Sequence, residues 1–297
     1  FPATTETNWR NNSLPRWIKT ANALKARYHN HLSKVDPLGS AQAALDAIAA
    51  GTFVSNAEEL KVSFGTTNDT AGPWFGFLLG SFGQNNISIS KNFIDLLRDR
   101  VAPGVNDPRL PFFVQPRPTT GAFVGTPYGE PQVSGVSVLG PYVNSAAAPT
   151  NLVTYAEVKF IEAEANFRLG QFAEAATAFN AAVRASILRV TGSSHAGYEA
   201  IFASEDATTI QVNGLQKIFT EKYIAMFLQT EAWTDWRRSI PAGAAGTVTG
   251  IPALQPAAAN GTQGVFPRRF LYPLSEQDNN SANVPSASKT DKIFWDL

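Results

Sequence analysis

The stretch Tyr155 to Val190, YAEVKFIEAEANFRLGQFAEAATAFNAAVRASILRV, constrains the fold more than any other part of the chain, because it reads as two amphipathic helices joined by one glycine. In the first helix Ala156, Phe160, Ala163 and Phe167 recur at helical spacing, and Val158, Ile161, Ala165 and Leu169 widen the apolar side. Glu157, Glu164 and Arg168 fall opposite, which places them on a solvated surface, with Glu164 and Arg168 four apart in the favourable order. Gly170 ends this helix, since glycine enters the left-handed cap conformation without strain. Phe172, Ala175, Ala176, Phe179, Ala182 and Val183 then start a second stripe, and the two helices have to pack back to back.

That order matches one tetratricopeptide unit, with Ala163 at the small position of the first helix, Gly170 at the turn, and Phe172, Ala175, Phe179 and Ala182 at the packing positions of the second. The first helix lacks the large aromatic such a unit carries near its start, so an ordinary antiparallel helical hairpin stays open as the alternative. Either way the segment is scaffold rather than chemistry. At 297 residues and 44% hydrophobic content the chain has ample material for a buried core. Its 24 basic residues balance 24 acidic ones, which excludes the cationic excess that phosphate neutralisation needs and so argues against nucleic acid as a partner. Arg237–Arg238 and Arg268–Arg269 read as structural ion pairs or caps. There is no cysteine for a disulfide, thiolate nucleophile or metal site, no apolar run long enough to span a bilayer, and no signal-peptide pattern after Phe1, so the chain reads as mature, trimmed or incomplete at its start.

Outside the central pair, the spacing of Trp17, Ala21, Leu24 and Tyr28 predicts a helix from the cap Ser13 with Pro15 in its first turn. Residues 40–50 predict a second, closed by Gly51. Residues 52–86 read as a long aromatic-bearing loop, interrupted by glycines, and residues 90–101 as a compact helix capped by Ser90. Proline and glycine dominate residues 101–150, leaving extended segments, turns and a small hairpin around Gln132 to Leu139. Residues 206–239 read as one long helical tract that breaks at Pro241, and a capped turn is expected at Ser275. The fold class is therefore mainly α, with tetratricopeptide-like helical pairs and long irregular loops.

Four blocks in this order resemble the SusD/RagB family of nutrient-binding outer-membrane lipoproteins: WIKTANALKARY at 17–28, YAEVKFIEAEANFRLGQFAEAATAFNAAVRAS at 155–186, QKIFTEKYIAMFLQTEAWTDWRRS at 216–239 and FPRRFLYPLSEQDNN at 266–280. The resemblance implies a single SusD-like helical domain over residues 1–297, lacking the family's N-terminal segment and its lipid-bearing cysteine. It implies a surface-exposed, lipid-anchored outer-membrane protein that binds oligosaccharides or other nutrients and serves a SusC-like TonB-dependent transporter. The family's ligand contacts lie in variable loops, so no binding residue carries over by motif.

Read for chemistry, the residues point to binding rather than turnover. His29 and His31 are two apart and diverge on a helix, and His195 lies in a helix-to-loop connection, so no metal set forms. No phosphate-cradling glycine pattern and no paired carboxylates for glycoside hydrolysis are legible, and no cofactor is expected. Sugar rings present apolar C–H faces that Trp or Tyr can cover while Asn, Asp and Arg bond the hydroxyls. The segment from Asn68 to Asn86 mixes those types beside glycines, so Trp74 and Phe77 are candidate sugar platforms and Asn68, Asp69, Asn85 and Asn86 candidate hydrogen-bonding groups. Packing stays open for Trp74. Trp233 and Trp236, three apart on one face, read as core. Three classes remain: a glycan or nutrient binder, a tetratricopeptide-like protein-interaction scaffold without a small-molecule ligand, and an enzyme, the last without a visible site.

Overall fold

The computed structural model describes residues 9–79, 87–128, 130, 135–245, 248–254 and 264–297. Helix α1 (Leu14–His31) has proline in its first turn, and α2 (Pro37–Ala49) is capped by Asp36, whose Oδ1 accepts from Gly39 N at 2.9 Å. Strand β1 (Leu60–Val62), α3 (Pro73–Leu79), α4 (Lys91–Leu97) and the single turn α5 (Leu110–Phe113) lead into β2 (Val114–Gln115), β3 (Val138–Leu139) and β4 (Thr150–Val153). Then come α6 (Tyr155–Arg168), α7 (Phe172–Thr191), α8 (Ala196–Phe202), α9 (Gly214–Ala225), α10 (Glu231–Ser239) and α11 (Leu274–Asn279). The fold is mainly helical. The strands form two antiparallel pairs, β1 with β4 and β2 with β3.

The α6–α7 hairpin forms as its pattern requires. Gly170 has φ 75°, Gln171 N donates to Asn166 O at 2.9 Å and Gly170 N to Phe167 O at 3.1 Å, which closes the end of α6 in a Schellman motif. Phe167 meets Phe172 and Phe160 meets Phe179, the register of an antiparallel pair. Ala163, Ala175 and Ala182 are fully buried and let the backbones approach. Gly214 does the same for α9, because any Cβ there would run into the ring of Phe167.

The glutamates of α6 lie elsewhere than expected. The helix packs against α7, α9, α1 and α2, which leaves only the edge carrying Lys159 and Glu162 partly open to solvent, and both Glu157 and Glu164 are fully buried. Arg27 of α1 grips Glu157 with two bonds of 2.6 Å, and Arg238 of α10 grips Glu164 at 2.9 and 3.0 Å. Such pairs satisfy the carboxylates geometrically as well as electrostatically. A second buried cluster ties down the proline-rich segment: Arg109 bonds Asp107 at 2.7 and 2.9 Å and Glu221 of α9 at 3.0 Å, while Arg100 pairs with Glu221.

Other local expectations are corrected. Ser13 makes no capping bond to α1, whereas Ser90 Oγ does accept from Phe93 N at 3.3 Å. Helix α4 ends at Leu97, shorter than the pattern suggests. Residues 52–86 are not uninterrupted loop, since they hold β1 and α3. Val138–Leu139 pairs with Val114–Gln115 rather than closing a local hairpin, and residues 131–134 of that expected hairpin lie outside the described residues. The tract 206–239 is two helices, divided at residues 226–230 where Leu228 takes φ 59°, and it starts only at Gly214, after Asp206 has capped the backbone of Thr208 and Thr209. Pro273, not Ser275, occupies the N-cap position of α11.

Candidate functional site

The break between α9 and α10 opens a cleft of about 750 Å³. One wall comes from that break and α10, through Leu228, Gln229, Ala232, Trp233 and Trp236. A second comes from the approach to α4, through Ile87, Ile89 and Phe93, and a third from the C-terminal segment, through Phe266, Phe270 and Leu271. Tyr128 and Tyr223 join them. Mostly apolar concavities with few polar groups are where small ligands bind.

Trp233 is held from three directions. Its Nε1 donates to Pro267 O at 3.1 Å, the Arg237 guanidinium carbon lies 4.0 Å from its ring centroid, and Phe270 meets it at 71° with centroids 5.0 Å apart. Arg237 is itself sandwiched, with Trp295 at 4.4 Å, and donates to Arg268 O at 2.8 Å. Burial pulls the Arg237 guanidinium down to about 10, which leaves it cationic at neutral pH and able to attract both indole faces. Trp295 stacks in turn on His31, which bonds Glu231 at 2.9 Å. This fixes an indole at the cleft wall without occupying the cleft.

The polar complement of the cleft is sparse. Ser90 is spent on its helix cap, and Ser88, Gln229, Arg269, Lys289 and the phenols of Tyr128 and Tyr223 are further polar side chains lining it; no carboxylate does so among the described residues. Burial raises Tyr128 and pushes Tyr223 up to about 12, so both present neutral phenols. Leu228 is 41% exposed and sits at positive φ, a conformation that costs a leucine roughly 1–2 kcal/mol. Strain of this kind clusters at functional sites. Among the described residues no group of three or more His, Cys, Asp or Glu side chains is placed to hold a metal, and no helix is long and apolar enough to cross a membrane.

None of the described site residues expected from sequence lines this cleft. Asn68 and Asp69 are exposed in the turn before α3, and Phe77 is 40% exposed on α3. Trp74 is half-buried and packs on the apolar cluster that includes Ile89, Phe93 and Leu139, three residues that also line the cleft. Asn85 and Asn86 lie outside the described residues. Trp233 and Trp236, expected as core, serve both purposes: Trp236 is 4% exposed and packs on Ile240 and Phe266, yet both indoles line the cleft. The signal for them was the pairing of two tryptophans with an extended, apolar FPRRFL segment, but only the packing of residues 266–271 onto α10 turns that into a site.

The chain matches, over residues 9–273, the SusD-like family described as starch-binding and associating with the outer membrane. It is similar in structure to a chitin-binding protein, with 25% identity, coverage of 97% of this chain and 66% of that one, and a TM-score of 0.74. It is also similar to a chitin-binding SusD homolog from Flavobacterium johnsoniae, with 22% identity, coverage of 98% and 65%, and a TM-score of 0.72. A SusD homolog from Bacteroides fragilis shares 22% identity over 90% and 62% of the two chains, with a TM-score of 0.64. The chain thus spans less than two thirds of the length of these structures. No curated protein matches it by sequence.

Proposed function

Because the chain belongs to the SusD-like family, described as starch-binding and associating with the outer membrane, we propose that it binds an oligosaccharide in the cleft walled by Trp233 and delivers it to a SusC-like TonB-dependent transporter. The observation that supports this reading is the immobilised indole. Trp233 is fixed by a hydrogen bond, a cation and an orthogonal ring, so it meets a sugar's C–H face without first losing side-chain freedom. The turn of Asn68 and Asp69, with Trp74 and Phe77 of α3, is proposed as an outer extension of the same face. The protein acts at the cell surface as a binder without turnover, tethered by a lipid anchor, and its buried carboxylates serve guanidinium partners instead of acid–base chemistry.

The test is calorimetric titration with malto-oligosaccharides, after the family description, and with chito-oligosaccharides, after the two chitin-binding structures. Trp233→Ala removes a platform worth on the order of 1–3 kcal/mol, so affinity is expected to fall roughly 5- to 150-fold with the fold retained. Undiminished affinity in that variant removes the cleft from the function. Release of shorter sugars by the pure protein refutes the absence of turnover. Co-purification of the native protein with an outer-membrane channel tests the transporter partnership.

A further inference from the structure

The cleft carries two phenols that the fold itself leaves unused. The Tyr223 ring meets Phe93 edge-on, at 75° with centroids 5.8 Å apart, and the Tyr128 ring rests on Phe266 with centroids 4.8 Å apart; all four residues line the cleft. Neither hydroxyl has a hydrogen-bond partner among the described residues. Tyr223 is half-buried but its Oη is not sealed from solvent, and Tyr128 is exposed. The two hydroxyls are near enough that charge on Tyr128 raises Tyr223 further. Tyr198 and Tyr142, which do not line the cleft, show the usual outcome for a tyrosine packed against apolar neighbours: Tyr198 Oη donates to Asp107 at 2.5 Å, and Tyr142 Oη accepts from Asn151 Nδ2 at 3.0 Å. A pair of neighbouring phenols without protein partners, on a wall otherwise built from Ile89, Phe93, Leu139 and Phe266, offers its hydrogen bonds to whatever enters the cleft.

Resting on the reading of this cleft as the sugar site, we propose that Tyr128 and Tyr223 are its specificity-determining pair and read one free hydroxyl of the sugar, one phenol donating to the hydroxyl oxygen and the other accepting its proton. A phenol both donates and accepts, and so does a sugar hydroxyl, so the chain of three groups closes with each of them served. Hydroxyls in such a chain polarise one another, which favours this order over two phenols crowding a single acceptor. A methyl ether or a fluorine at the same place accepts without donating and leaves one phenol oxygen unserved. A carboxylate or sulfate is disfavoured against Ile87, Ile89, Phe93 and Leu139, which supply no counter-charge. The pair therefore selects an unsubstituted, uncharged position on the sugar, while Trp233 covers a ring face without regard to which hydroxyl is where.

The experiment titrates malto- and chito-oligosaccharides calorimetrically into the parent, Tyr128→Phe, Tyr223→Phe and the double variant, and repeats this for whichever sugar binds with a series in which one hydroxyl at a time is replaced by fluorine. Each Tyr→Phe change deletes only the hydroxyl, and a melting curve is the control for folding. Tyr223→Phe is expected to weaken binding about ten-fold and Tyr128→Phe about three-fold, the latter less because an exposed phenol returns to water in the free protein. One fluorinated sugar is expected to bind the parent about ten-fold more weakly than the plain sugar, with that penalty shrinking to about two-fold or less in the double variant, because the sugar position and the phenols are then coupled. Variants that bind the plain sugar as the parent does, or fluorine penalties that all persist unchanged in the double variant, overturn the inference. If Trp233→Ala nonetheless abolishes binding in that case, the cleft stands as the sugar site and only the reading of a hydroxyl by the phenols fails; if no sugar binds the parent at all, both fail together.

Discussion

Arg238 and Glu164, far apart in sequence on α10 and α6, face each other in a two-bond pair of 2.9 and 3.0 Å with both side chains fully buried. Arg238 also bonds Asp235 at 2.6 Å and Ser33 at 2.7 Å, while Glu164 takes bonds from Arg168 at 2.8 and 3.0 Å and from Asn30 at 3.1 Å. Three segments, α1 with the turn after it, α6 and α10, therefore meet at one charge cluster. The same helix that supplies Arg238 carries Trp233 and Trp236 to the cleft, so this cluster sets where the cleft wall stands.

Breaking that pair from one side leaves a guanidinium buried without its full counter-charge. Glu164→Gln is expected to cost about 3–5 kcal/mol of unfolding free energy, read as a lowered urea midpoint at unchanged slope. A combined Glu164→Leu and Arg238→Met change is expected to be less harmful than the single one, because the buried guanidinium leaves with its carboxylate and Asp235 keeps Lys222 at 2.8 Å. If the single change costs under about 1 kcal/mol, the cluster is not what anchors α10.

Stability is expected to fall in acid. Against the cost of burial, the neighbouring arginines hold Glu164 well below the usual carboxylate range; Arg109 and Arg100 bring Asp107 to about 2, and His31 and Arg27 bring Glu231 to about 2. A carboxylate lowered on folding contributes stability that is present above its unfolded value and is lost as pH drops through its folded one. The window therefore opens near pH 4.5, the ordinary glutamate value, and extends to about pH 2. Glu59, raised by burial, works in the opposite sense but is one group against three. Melting temperature followed from pH 7 to pH 2 checks this; a curve that stays flat below pH 4 contradicts it.

Leu228 separates stability from function. Replacing it by asparagine, which tolerates positive φ, is expected to leave the unfolding free energy within about 1 kcal/mol of the parent, strain relief offsetting the lost burial. Sugar affinity is expected to drop about five-fold as the cleft wall loses an apolar side chain. A variant that binds as the parent does would make Leu228 a turn residue only.

Trp74→Ala distinguishes the outer face from the core. Half-buried on the cluster of Ile89 and Phe93, Trp74 is expected to cost about 2–3 kcal/mol of stability when truncated, less than a fully buried tryptophan. Its proposed role on the ligand face adds a loss of sugar affinity measured below the variant's melting temperature. Stability loss with unaltered affinity would confine Trp74 to packing.

The α6–α7 hairpin was legible from sequence because everything that forms it is local: a helical period in Phe160, Ala163 and Phe167, another in Ala175, Phe179 and Ala182, and a glycine between them that relieves the left-handed turn. The helical class and the family resemblance rest on the same short-range order. What sequence could not assign was which polar residues are inside. Glu157 and Glu164 show the period of a solvent face, and only the arrival of Arg27 and Arg238 from distant helices makes their burial affordable. The cleft is likewise a product of tertiary structure. Its walls come from residues 87–93, 226–236 and 266–271, no two of which are neighbours in sequence. A tryptophan's spacing on a helix says that one side is covered. It does not say whether the cover is another side chain or a ligand, because that is decided by how far the facing segment stands off, a distance set by long-range packing rather than by any local pattern.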